Sequence, residues 1–163
     1  MGRGRTTTGM IISSIWAMCS SHLSGTLQLP EKPQVAKEDL IQRYLNGEYK
    51  LIINLLRVLR DGQTSKRLAD FAIDKCSHVQ NLREAIYQTK IRYEKAEVHE
   101  KSEALVRSAN YLIRYFYLIV FTDFLIEKFT VTKDDQKFSD WLLGRPEIST
   151  LLQDVFKDFN KEL

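Results

Sequence analysis

The stretch Tyr111-Leu112-Ile113-Arg114-Tyr115-Phe116-Tyr117-Leu118-Ile119-Val120-Phe121-Thr122-Asp123-Phe124-Leu125-Ile126-Glu127-Lys128-Phe129 decides the fold class. It is the most apolar run in the chain. Arg114, Asp123 and Glu127 nevertheless interrupt it, and its longest uncharged piece is Tyr115 to Thr122. A membrane span needs roughly 18 or more consecutive apolar residues. The stretch therefore reads as a buried core helix running from Ser102 to Lys128, with no transmembrane segment implied. Its aromatics (Tyr111, Tyr115, Phe116, Tyr117, Phe121 and Phe124) stand among Leu112, Ile113, Leu118 and Ile119, and they read as packing surface.

Outward from this helix the chain stays helical in pattern. Pro30 and Pro33 bracket a linker, and from there to Gly144 the only punctuation is Gly47 and Gly62. From about Arg5 to His22 the apolar residues Met10, Ile11, Trp16 and Met18 indicate a helix. Lys37 to Leu59 places Leu40, Tyr44, Leu51, Ile52, Leu55 and Leu59 at helical spacing and reads as one amphipathic helix. Asp61-Gly62 stops it. Thr64 or Ser65 then caps a helix running into Tyr87–Glu94, with Leu68, Phe71, Ala72, Cys76, Val79, Leu82 and Ile86 on one face. Glu94 to Glu103 is charged and either prolongs that helix or loops. Val131 to Lys137 is polar and loop-like. Phe138 to Leu143 is a short helix ended by Gly144, and Pro146 opens a last helix to about Phe159. No strand pattern persists for long and no repeat is visible. The chain reads as mostly α.

Composition narrows the function classes. The chain has 163 residues, 24 basic and 21 acidic, for a net charge of +3, too balanced to indicate nucleic-acid binding. Cys19 and Cys76 lie far apart, with no spacing of a zinc site or disulfide scaffold, and no metal or cofactor is expected. A reducing, cytoplasmic setting follows. His22, His78 and His99 are scattered singly. Asp134-Asp135 reads as a solvated loop. Arg57, Arg60, Lys66 and Arg67 cluster round the Asp61-Gly62 turn, either adding positive potential near a polyanion or forming a solvated turn compensated by Asp70 and Asp74.

The beginning of the chain is unusual. Three of the seven glycines fall within the first nine residues, and the first thirty carry Arg3 and Arg5 with no carboxylate. Met1-Gly2-Arg3-Gly4-Arg5-Thr6 formally fits a myristoylation pattern, and the apolar run Met10–Ala17 fits a signal peptide poorly because two serines break it. Without a signal peptide, the terminal Asn160-Lys161-Glu162-Leu163 carries little weight as a retention signal. Residues Met1 to Met10 hold the ingredients of an anion cradle: glycines that turn backbone N–H groups inward, a helix starting near Thr6 with its unpaired N–H groups, and an arginine fork. A flexible arginine- and glycine-containing tail is the alternative. No Gly-Lys-Ser/Thr is present, so this is not a nucleotide-binding P-loop.

Gly2-Arg3-Gly4-Arg5-Thr6-Thr7-Thr8-Gly9-Met10 resembles the latter part of the signature loop of cysteine-dependent phosphatases, in which an arginine follows a cysteine after five residues. More closely it is similar to the paladin family, relatives of the inositol-phosphate and tyrosine phosphatases. The stretches Tyr44-Leu45-Asn46-Gly47-Glu48-Tyr49, Asn81-Leu82-Arg83-Glu84-Ala85-Ile86-Tyr87, Arg114-Tyr115-Phe116-Tyr117-Leu118-Ile119-Val120-Phe121 and Trp141-Leu142-Leu143-Gly144-Arg145-Pro146-Glu147-Ile148 extend the likeness over nearly the whole chain.

The resemblance implies the helical C-terminal half of an α/β cysteine-phosphatase fold, with the central sheet largely absent from this chain. Residues 1–10 would be the remnant of the phosphate-binding loop and 11–163 the helical part. Arg5 matches the phosphate-binding arginine, and Gly2, Arg3 and Gly4 match backbone-donor positions. Thr6 matches the hydroxyl residue that helps stabilise the leaving thiolate. The nucleophilic cysteine would stand six positions ahead of Arg5, before Met1, and the sheet and general-acid aspartate would also lie upstream. Cys19 is fourteen residues past Arg5, roughly 20 Å along a helix, and Cys76 falls on an apolar face. No complete catalytic set is therefore expected. A phosphorylated ligand, an inositol phosphate or phosphotyrosine, is the implied partner. Exposed helix faces imply self-association or a protein partner, and a helical interaction module that binds no phosphate is the competing reading.

Overall fold

The computed structural model describes residues 3–32, 34–78, 80–132 and 135–159, and of residues 3–7 and 132 it describes the backbone alone. Helix α6, Val98–Glu127, is 30 residues long and organises the rest. Leu112, Tyr115, Phe116 and Ile119 on it are fully buried. Three helices cover it: α1 (Arg3–Leu23), α4 (Gly62–Lys75) and α5 (Leu82–Lys95). The shorter α2 (Leu40–Leu45) rests on α5, and α3 (Lys50–Val58) is sandwiched between α4 and the C-terminal segment. That segment comprises α7 (Phe138–Leu143), α8 (Pro146–Thr150) and a 3-10 helix, Leu151–Asp158. No strand occurs among the described residues, and the chain is mostly α. With the π-helical turn Lys128–Thr132, α6 is long and apolar enough to cross a membrane, but 67% of its most apolar window is buried in the protein.

Four expected boundaries move. The helix read over Lys37–Leu59 is two helices. α2 ends in a Schellman turn: Gly47 N–H donates to the Tyr44 carbonyl (2.8 Å) and Glu48 N–H to the Arg43 carbonyl (2.9 Å), with Gly47 at φ +78°. The helix read from Thr64 to Glu94 is also two, because Asn81 caps α5 by accepting from Glu84 N–H (3.2 Å). Neither Thr64 nor Ser65 caps α4. It starts at Gly62, and the Ser65 hydroxyl donates to Asp123 instead (2.8 Å). Lastly, α6 starts at Val98 instead of Ser102, which leaves only Ala96–Glu97 between it and α5. Phe138–Leu143 and the start at Pro146 are found as expected.

Gly47 meets a second demand. A Cβ placed there would stand 2.4 Å from the Tyr115 hydroxyl oxygen, so the turn between α2 and α3 touches the middle of α6 only because the side chain is absent. The next helix, α3, is capped from across the chain. Its N-cap Tyr49 makes no side-chain cap bond. Lys50 N–H and Leu51 N–H instead donate to the two oxygens of Asp158, at 2.7 and 3.0 Å. Burial raises the Asp158 carboxyl above its usual range, and these two backbone donors work against that rise.

Two stability predictions follow from these turns. Gly25 has the same φ of +78° but open space around its Cβ position. Gly25→Ala is therefore expected to cost about 1 kcal/mol from the left-handed backbone alone, and Gly47→Ala about 3 kcal/mol or more, because Tyr115 must also move. Urea unfolding midpoints of the two variants test this, and equal losses refute the Tyr115 contact. Asp158→Ala should cost about 2 kcal/mol by leaving two helix-start donors without an acceptor. A change within a few tenths would show that the cap does not hold α3.

Candidate functional site

Of the residues matched to the phosphate loop, Gly2 lies outside the described residues. Arg3, Gly4, Arg5 and Thr6 form the first turn of α1, and their side chains lie outside the description. The helix begins three residues ahead of Thr6, so Arg3 and Gly4 belong to the helix instead of a loop leading into it. The first four N–H groups of a helix have no intrahelical acceptor, and here the first turn carries no acidic residue to occupy them. The macrodipole adds roughly half a positive charge at the same place.

Neither cysteine of the chain faces this turn. Cys19 is fully buried on α1, where burial pushes its thiol up to about 12. A residue fourteen positions along an α-helix lies roughly 21 Å from Arg5. Cys76 caps the C-terminus of α4 and is buried, with its Sγ 3.6 Å from the Ser14 hydroxyl. Both therefore behave as core side chains. His78 and His99 are exposed and His22 is half-buried. Among the described residues no group of three or more His, Cys, Asp or Glu is placed to hold a metal. Asp134 falls outside the described residues, so the Asp134-Asp135 pair has no structural account.

The aromatics of α6 are packing residues, as read: Phe121, Phe124, Phe138 and Trp141 form one cluster, with ring centroids 5.4 to 6.1 Å apart. Of the basic cluster round Asp61-Gly62, Lys66 turns inward. Its Nζ donates to the Asn46 carbonyl (2.6 Å) and to Asp70 (2.7 Å). Arg67 donates to the Pro30 carbonyl (2.8 Å), and Arg60 approaches Asp61 at 4.0 Å.

Behind this turn lies a polar network of which the sequence reading names only the Asp70 and Asp74 carboxylates, Asp70 compensating Lys66 as expected. The half-buried Asp70 carboxylate of α4 accepts from the Tyr115 hydroxyl of α6 (2.6 Å) and from Lys66, and pairs with Arg83 of α5 at 3.1 Å. Arg83 also reaches Asp74, which Asn81 Nδ2 contacts at 3.1 Å. Burial drives the Tyr115 hydroxyl well above its ordinary range, and the Asp70 charge pushes it the same way. For Arg83, burial opposes the charge, but the Asp70 and Asp74 carboxylates outweigh it and hold the guanidinium protonated. Two similar acids sit further along α6. Asp123, buried and raised by desolvation, accepts from Ser65 and from Asp61 N–H (3.0 Å). Glu127 accepts from the Trp141 indole and from Arg145 (2.8 Å), whose guanidinium stacks 4.5 Å over the Trp141 ring. The stretches that carry the family likeness thus supply Gly47, Asn81, Arg83, Tyr115, Trp141 and Arg145, all of them joints of the scaffold.

Comparison with known proteins agrees with that likeness. No family model and no solved structure matches the chain. Among curated proteins, paladin of Gallus gallus is 34% identical over 153 residues, which is 86% of this chain and 16% of that protein. Paladin of Mus musculus is 32% identical over the same shares. Paladin of Danio rerio is 30% identical over 159 residues, 93% of this chain and 18% of that protein. The chain therefore spans less than a fifth of the length of the relatives it matches. The matches cover most of its own residues, and on that sequence relationship the chain belongs to the paladin family.

Proposed function

We propose that residues 1–163 are the helical part of a paladin-like phosphatase module that retains the arginine end of a phosphate-binding loop and lacks the nucleophilic cysteine. Gly2, Arg3, Gly4, Arg5 and Thr6 would surround a phosphate: Arg5 through its planar fork, the glycines and Arg3 through backbone N–H groups, and Thr6 through its hydroxyl. One observation carries this reading. Arg3-Gly4-Arg5-Thr6 opens a helix of 21 residues whose first turn holds no acid. The whole protein would resemble a phosphatase acting on inositol phosphates or phosphotyrosine, in which a phosphocysteine forms and is then hydrolysed. That chemistry needs a low-pKa thiolate at the centre of the cradle. Both cysteines of this chain are free and buried, which suits a reducing, cytoplasmic setting and disqualifies them as nucleophiles.

A second reading, a helical interaction module that binds no phosphate, draws on the half-exposed Ile12 and Trp16 (40% and 48%) on α1. Ile12 borders a groove shared with Ile113, Tyr117 and Phe121 of α6, and such a surface suits a protein partner or a second copy.

Titration with inositol hexakisphosphate separates the two. The cradle predicts saturable binding that weakens with salt and falls about tenfold or more in Arg5→Ala. No binding, or binding unchanged in that variant, favours the interaction module. The 163-residue chain is also expected to show no turnover of p-nitrophenyl phosphate above background. Both thiols should resist iodoacetamide at pH 8 until the chain is unfolded. Turnover abolished by Cys19→Ser would overturn the incomplete-site reading.

A further inference from the structure

The cradle proposed above leaves a second concavity unexplained. A cleft of about 400 Å³ runs between α3 and α4, within the usual size range of small-ligand sites. Residues 29–32 wall it on the outside, tied down where Arg67 donates to the Pro30 carbonyl (2.8 Å). Its apolar surface comes from Ile53 and Leu56 of α3 and Phe71 of α4, all partly exposed.

The charges around this apolar surface are unequally matched. Of the acids that line the cleft, Asp70 is held by Tyr115, Lys66 and Arg83, Asp74 by Arg83 and Asn81, and Glu48 by Arg43 (2.9 Å) outside it. Lys66 and Arg83 are occupied in turn. That leaves Lys32, Arg57 and Arg67 as lining cations with no carboxylate partner among the described residues, opposed by Glu31 alone. Arg57 sits in the last turn of α3 and Arg67 in the second turn of α4, on the two walls of the same cleft. Arg83 adds a buried Nε–H without an acceptor. An apolar surface beside two unmatched guanidinium groups is complementary to a molecule with an apolar body and an oxyanion head.

We propose that the α3–α4 cleft is a binding site for a small amphipathic anion, an acyl or alkyl chain ending in a carboxylate or phosphate. The chain lies on Ile53, Leu56 and Phe71, and the head pairs with Arg57 and Arg67. This site is separate from the first turn of α1 and does not depend on a phosphatase module.

The test is a calorimetric titration of the 163-residue chain with decanoate, decyl phosphate and decanol, with amide shifts mapped by NMR. Saturable binding of either anion is expected, with shifts centred on residues 52–57 and 66–71. Decanol should bind at least tenfold more weakly, since it offers nothing to the guanidinium groups. Which anion binds more tightly identifies the head. Arg57→Gln, which removes an exposed side chain without a hydrogen bond, should weaken anion binding about tenfold, and Arg57→Gln with Arg67→Gln should weaken it further. Arg5→Ala should leave it unchanged. Binding of decanol as tight as of the anions, shifts confined to the α1–α6 groove, indifference to Arg57→Gln, or no saturation at millimolar concentration would each overturn the proposal.

Discussion

The bundle depends on the Asp70 carboxylate. A carboxylate this far out of solvent is tolerable only with donors on its oxygens, and Asp70 has them from three helices: Lys66 one turn earlier on α4, Arg83 on α5 and Tyr115 on α6. Lys66 extends the set to the Asn46 carbonyl at the end of α2. Four helices therefore meet at one charge, and none of the four contributes an isolated pair. The glycine at position 47 belongs to the same joint, because the Tyr115 hydroxyl that reaches Asp70 occupies the space beside its Cα. A larger residue there would displace the tyrosine and leave the acid short of a partner.

The same device is used again along α6 and at the end of the chain. Asp123 follows Tyr115 by eight residues and Glu127 follows Asp123 by four, so the polar positions step down the helix by whole multiples of four and drift slowly round its axis. Each fastens a different neighbour. Asp123 holds the start of α4 through Ser65 and Asp61 N–H, and Glu127 holds α7 and α8 through Trp141 and Arg145. Asp158 closes α3 from the other end of the chain. In this molecule the apolar face of α6 sets how much is buried, and the acids set where the short helices stop and start.

This division explains what was legible in the sequence. The long apolar helix, the Phe138–Leu143 piece and the proline start at 146 follow from local pattern, and they are present. Two helix breaks are hidden in the sequence because apolar spacing continues across them: Tyr44 and Leu51 flank Gly47, and Cys76 and Leu82 flank the turn ahead of Asn81, in positions that still suit one helical face. A cap signal was available, since Asn81-Leu82-Arg83-Glu84 places a good N-cap three residues before a glutamate. The Gly47 turn carries only an Asn-Gly step. The bonds from Lys50 N–H to Asp158 and from the Tyr115 hydroxyl to Asp70 join residues far apart in sequence, and no local pattern encodes them. The α3–α4 cleft is half legible: Arg57, Lys66 and Arg67 cluster round the Asp61-Gly62 turn in sequence, but Lys32 and Arg83 join them only through the fold, which also decides which acids occupy them.

The stretches that resemble the paladins contain many of these joints. Gly47, Asn81, Arg83, Tyr115, Trp141 and Arg145 all lie in the stretches that resemble the family, and each has a structural task in the helical scaffold. Resemblance in stretches that hold a scaffold together speaks for a shared architecture, and a shared architecture does not by itself carry a reaction. The chemistry of a cysteine-dependent phosphate loop divides into two parts with different requirements. Holding the anion needs backbone N–H groups, a helix end and an arginine, all of which lie within a few residues of one another. Breaking the ester needs a thiolate at their focus. The Asp70, Asp123, Glu127 and Asp158 contacts that hold the helical scaffold together draw on neither part, so the scaffold and the chemistry are separate questions.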